Sequence, residues 1–255
     1  MSPVTCDAPL PVSALYTSRY APDENWPNTT MPEFREQVYG QLKLSDGRAL
    51  SFNPIIYETT CEPWEAHSME NVEILSDTSL IERAWETCRI VADGIFMVGG
   101  VDDTGLASGS RYNTTMVPVW QISPIEGNSK AVVFNLNSGM NRQRALDDML
   151  YHKVPALTAI LQLFQGSDLR PSSVLFSPVF NNFRKQLVVG SISIVFSWDD
   201  LLNKLLPSYI NGIFCVIRTN IGQSYTFLVN GDDVSVIGKG DLHDPLYYSI
   251  IYTVD

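Results

Sequence analysis

Few side chains in this sequence could do chemistry. Three histidines are present, His67, His152 and His243. Only His243 sits between carboxylates, in the run Gly240-Asp241-Leu242-His243-Asp244-Pro245. Asp241, His243 and Asp244 at that spacing could share a metal ion or pass a proton. The same run also reads as a turn whose Asp side chains accept from their own backbone, and that reading is preferred. The carboxylate pairs Asp102-Asp103 and Asp199-Asp200 lack facing partners for glycosidase chemistry. The second pair suits a helix N-terminus through the dipole. Four cysteines, Cys6, Cys61, Cys88 and Cys215, are scattered without the close ligand pairs of a zinc site. Cys88 and Cys215 lie in apolar surroundings and read as structural thiols. In an extracellular setting, three full disulfide pairings could be drawn.

No nucleophile elbow, Walker loop or dinucleotide fingerprint is present, so no enzyme emerges and no metal or cofactor is implied. The net charge of -11 speaks against nucleic acid and anionic lipid as partners, because both need clustered Lys and Arg. Trp120-Gln121, Phe180 and Trp198-Asp199 offer aromatic and polar groups that could line a small-molecule pocket, or could simply fill a core. Asn28-Thr29-Thr30 and Asn113-Thr114-Thr115 are glycosylation sequons, a signal no stronger than chance supplies.

The elements that would position these groups follow from periodicity. Residues 1–32, rich in Pro, Asn, Thr and Ser, read as an irregular arm. Phe34 to Phe52 reads as a helix running into a strand, and Asn53 to Asp77 as mostly loop. Ser79 with Glu82 opens a helix whose apolar stripe runs to Ile95. A Gly-rich loop, Gly99 to Thr115, precedes short strands at Met116–Ile122 and Ala131–Leu136. Arg144 to Phe164 reads as a helix that Pro155 kinks or splits. Ser173–Phe180 is a strand, and Leu187–Phe196 a half-buried one with Ser191 and Ser193 on its polar face. Ser197 caps a helix, Asp199–Leu206, that Pro207 ends. Strands at 212–218, 224–229 and 234–237 follow, the last two joined by Asn230-Gly231. Helices beside antiparallel strands make an α+β domain. No apolar run reaches a membrane span, and no secretory signal opens the chain. Read alone, this is a soluble polypeptide.

Several stretches resemble a known family. Asn25-Trp26-Pro27 with Met31-Pro32-Glu33-Phe34, Val117-Pro118-Val119-Trp120-Gln121-Ile122-Ser123-Pro124, and Phe134-Asn135-Leu136 come in order. Pro171-Ser172-Ser173, Pro178-Val179-Phe180, Val189-Gly190, Trp198-Asp199 and Leu206-Pro207 follow. Gly212-Ile213, Gly222-Gln223, Tyr225-Thr226-Phe227, Asn230-Gly231 and Gly240 to Pro245 complete the set. Together they resemble the extracellular, CHASE-like sensor region of receptor-type adenylate/guanylate cyclases of diatoms and related stramenopiles. The likeness spans about residues 25–245 and is strongest after Pro171. Where the family often has a cysteine, this chain has Ile221, so a disulfide from Cys215 to that position is unavailable.

The resemblance implies an arm at 1–32 and a CHASE-like domain at 33–255, clearest as a PAS-like half at 171–245. It implies a PAS-like antiparallel sheet with flanking helices, facing the cell exterior and held to a membrane only through a segment outside this chain. It implies a small-molecule or peptide ligand, in a pocket walled by Trp120, Phe180, Phe196 and Trp198 and anchored by Gln121 or Asp199. A homodimer is a further expected partner, and a domain that associates without binding any small molecule is the competing reading.

Overall fold

The computed structural model describes residues 9–19, 25–71, 97–98, 107–108, 115–161, 170–182 and 187–242. The expected helix from Ser79 to Ile95 lies outside the described residues, as do Cys6, Cys88, Asp102-Asp103, Asn113, His243 and Asp244. Ten strands and five α-helices are described. The helices are α1 (Pro9–Arg19), α2 (Phe34–Ser45), α3 (Glu58–Asn71), α4 (Met140–His152) and α5 (Trp198–Leu205). The strands are β1 (Ala49–Pro54), β2 (Met97–Val98), β3 (Ala107–Ser108), β4 (Gln121–Ser123), β5 (Ala156–Leu157), β6 (Ser172–Phe180), β7 (Val188–Ser197), β8 (Asn211–Arg218), β9 (Ser224–Asn230) and β10 (Asp233–Lys239).

The centre is a five-stranded antiparallel sheet in the order β4-β1-β7-β6-β5, with β1 between β4 and β7. With its flanking helices it is the PAS-like α+β architecture expected. Of the stretch 171–245, only β6 and β7 enter this sheet; β8, β9 and β10 form a three-stranded sheet of their own, and β2 pairs with β3. No loop residue separates β7 from α5: Ser197 ends the strand and Trp198 begins the helix.

Cross-strand register sorts the central sheet into two faces, because successive side chains alternate. Leu50, Phe52, Gly190, Ile192, Ile194, Leu175 and Gln121 share one face. That face meets α1, whose Tyr16 ring stacks on Phe52 at 3.9 Å. It also meets the α2 turn, where a Cβ on Gly47 would stand 2.7 Å from Ile194. Ser51, Asn53, Ser191, Ser193, Phe176 and Val174 share the other. Trp120, one residue before Gln121, also lies on this second face, and its ring meets Trp64 of α3 edge-on at 5.6 Å.

Several expectations are corrected. The arm is not wholly irregular: α1 lies within it, and Val12, Ser13, Tyr16 and Thr17 are buried at four-residue spacing. The loop expected over 53–77 contains α3, whose narrow buried stripe of Cys61, Trp64 and Ser68 is interrupted by Pro63 and hides its periodicity. The helix expected over 144–164 ends at His152, where Lys153 takes a left-handed conformation and donates to the Met149 carbonyl. Val154 precedes a proline and is steered extended, so Ala156–Leu157 become β5 on the edge of β6. The strands expected at 116–122 and 131–136 shrink to β4 and isolated bridges, with a 3-10 turn at Ser129–Ala131 and Val133 at φ 57°. The centre of β7 is not half-buried but covered on both faces: Ile192 and Ile194 are 0% and 3% exposed, and Ser191 and Ser193 on the other side 0% and 3%.

Candidate ligand-sensing face

The second face of the central sheet carries an uncharged polar centre. Asn53 is opposite Ser191, and Ser51 is opposite Ser193. Trp120 adjoins the first of these rows beyond Asn53, and Phe176 extends the second beyond Ser193. Asn53 Nδ2 donates to the carbonyl and the hydroxyl of Ser191, both at 3.2 Å. Ser51 Oγ donates to Asn53 Oδ1 at 2.9 Å, so the 2.5 Å bond between Ser51 and Ser193 takes its proton from Ser193. All four residues are at most 4% exposed. Burying polar groups costs free energy unless they are paired; here they pair with one another, and the Ser191 hydroxyl hydrogen is left for a further acceptor. Such a centre can recognise an uncharged polar group through hydroxyl and amide contacts. It brings no charge to bear.

Trp120 borders this centre and is itself held. Its Nε1 donates to Thr29 O and to Thr30 Oγ1, both at 3.1 Å. His67 of α3 lies beside it, with ring centroids 6.0 Å apart. Its Nε2 lies 3.2 Å from Thr30 Oγ1 and its Nδ1 3.2 Å from Asn71 Nδ2. Burial lowers the His67 pKa, and the negative charge of Glu70 opposes that shift.

Gln121 points the opposite way. Its Oε1 accepts from Tyr16 OH and Met31 N, and its Nε2 donates to Met31 O, each at 2.8 Å. Its polar atoms tie the N-terminal segments to the sheet. Phe180 ends β6, 5% exposed, and its N–H donates to Thr17 Oγ1 of α1. Phe196 and Trp198 meet edge-on at 5.4 Å. Trp198 Nε1 donates to Ser173 Oγ at 3.0 Å, and the buried Asp199 faces Arg170 at 3.3 Å, which also reaches Asp200. Ser191 and Trp198 are seven positions apart along the strand and helix start, about 23 Å at strand rise. Phe180, at the other end, pairs with Val188. The structure thus distributes the six expected ligand contacts over four places, and of these Trp120 alone borders the polar centre. Periodicity does not point to the centre itself. Its signal was the small polar residue at every second position in Ser51-Phe52-Asn53 and Ser191-Ile192-Ser193, which reads equally as a solvent-facing edge.

Other candidates resolve simply. Asp241 pairs with Arg218 of β8. Asn28 of the first sequon has its Oδ1 buried, and the Thr30 hydroxyl is engaged by Trp120 and His67. Cys61 is buried and Cys215 half-buried. Among the described residues, no group of three or more His, Cys, Asp or Glu could hold a metal ion, and no helix is long and apolar enough to cross a membrane.

The central sheet, its flanking helices and the buried polar centre make a PAS-like α+β domain. The CHASE domain family matches residues 31–220, three quarters of the chain, and the chain belongs to that family of extracellular sensory domains. No curated protein matches it.

Proposed function

We propose that the chain is the signal-input region of a receptor-type nucleotide cyclase, facing the cell exterior. In this reading it binds an uncharged small polar molecule against the second face of the central sheet and does no chemistry on it. The observation that carries the reading is the uncharged polar centre of Ser51, Asn53, Ser191 and Ser193, flanked by Trp120 and Phe176 in the middle of the sheet. Binding there would favour one of two arrangements of the domain and pass that preference on to the output. The test is a thermal-shift screen of small uncharged polar metabolites against the wild type and Ser191→Ala. A stabilising class whose effect falls in Ser191→Ala supports the reading; no stabilisation by any such class overturns it.

Self-association is a second reading with its own observation. On the small sheet, Ile213 and Phe214 of β8 and Val236 and Ile237 of β10 are 37–47% exposed. Exposed apolar edge strands invite pairing. A concentration-dependent dimer that Phe214→Lys abolishes would support this use of the surface.

A further inference from the structure

We propose that His67 is a proton-sensitive latch on the ligand-sensing face, holding the Thr29–Thr30 segment and Trp120 in place while its imidazole is neutral and releasing them in acid. This rests on the reading that Trp120 borders the ligand site.

The hydrogen bonds fix which nitrogen carries the proton. Asn71 Nδ2 has two hydrogens. One goes to the His67 carbonyl at 2.8 Å and the other points at His67 Nδ1 at 3.2 Å. Nδ1 must therefore accept, which places the neutral imidazole's hydrogen on Nε2. Nε2 then donates to Thr30 Oγ1, and the second lone pair of that oxygen accepts from Trp120 Nε1. Both acceptor sites of the hydroxyl are filled by this arrangement.

A second proton has to go onto Nδ1. Two N–H donors would then face each other across 3.2 Å. Turning the Asn71 amide does not cure this, because its oxygen would then oppose the His67 carbonyl, which it now serves as donor. Relief comes from rotation of the imidazole out of its site, and rotation withdraws Nε2 from Thr30. Trp120 loses the partner that orients its shared acceptor and is left with its bond to the Thr29 carbonyl. Of the groups around the ring, Glu70 on α3 is the carboxylate that favours the charged form, while the contacts from the neighbouring segments, Thr30 and Trp120, do not titrate. Burial outweighs Glu70 and keeps the neutral form dominant near pH 7.

The experiment follows the indole N–H resonances of the ¹⁵N-labelled full chain from about pH 8 to about pH 5, without any ligand. Trp120→Phe identifies the Trp120 signal. We expect that signal to move with a midpoint below the ordinary histidine value, and to stay fixed in His67→Gln. Asn71→Ala removes the facing donor and should shift the midpoint upward. A Trp120 signal that does not move in the wild type, or that moves alike in His67→Gln, overturns the latch. If His67→Gln fails to fold, Asn71→Ala decides: an unchanged midpoint overturns the proposal. Because no ligand is used, failure here leaves the sensing reading intact, and a failed ligand screen leaves the latch intact.

Discussion

Ser193 of β7 gives its hydroxyl proton to Ser51 of β1 at 2.5 Å, and Ser51 gives its own to Asn53. Ser51 is thus the middle of a one-way relay, and its removal strands a donor on one side and an acceptor on the other. Ser193→Ala removes only the first donor. Ser51→Ala should therefore destabilise the domain more than Ser193→Ala, by about 1–3 kcal/mol against about 1 kcal/mol. Urea unfolding of the two variants and the double variant measures both costs and their coupling.

Gln121 spans three segments through its amide. Gln121→Leu keeps the volume, strands Met31 N and Met31 O in the interior and removes the Gln121 acceptor from Tyr16 OH. A loss of about 2–4 kcal/mol is expected, since each stranded buried group costs about 1–3 kcal/mol and local relaxation recovers part of it. Amide exchange at Met31 should accelerate more than exchange along β1, which locates the loosening in the N-terminal segment.

The pairing of Arg170 with Asp199 joins the residues before β6 to the first turn of α5. Asp199 is 9% exposed, and leaving a buried charge without its partner is costly. Arg170→Ala should lower the melting temperature, and adding Asp199→Asn should restore part of the loss. If the second change lowers it further, the carboxylate is not the strained group.

Stability should depend on pH through His67. Its folded-state pKa is lowered by burial from an ordinary value of 6.5. As pH falls through that value, the unfolded chain takes up the proton first, so the folded state loses stability down to the lower folded-state pKa. Above the ordinary value the contribution is flat. Urea midpoints measured across this window should fall in the wild type and fall less in His67→Gln.

The α+β class, the strands around Phe176, Ile192 and Thr226, and the short helix after Ser197 could all be read from alternation, capping and breakers in the sequence. What could not be read were partnerships that periodicity does not encode. The apolar residues Leu157, Ile160 and Leu161 continue the stripe of α4, and only the ladder offered by β6 turns them into an edge segment. In α3 the buried stripe includes Ser68 and skips a proline, so its pattern resembles a loop. Trp120 and Gln121 read as a pair in the sequence, but adjacent strand residues point to opposite faces. One borders the polar centre; the other fastens the chain's beginning. The serines of the centre look like surface because alternation alone does not show that both faces of β7 are covered in the fold.

One junction governs how far a disturbance at the centre can travel. Ser191 and Ser193 belong to the strand that passes, without a connecting residue, into the helix resting on β9 and β10. No loop lies between them at that joint. On the proposed reading, a lengthwise shift of the strand would carry first into that helix, and through it toward the outer sheet, as a pushrod carries motion to what it is bolted to.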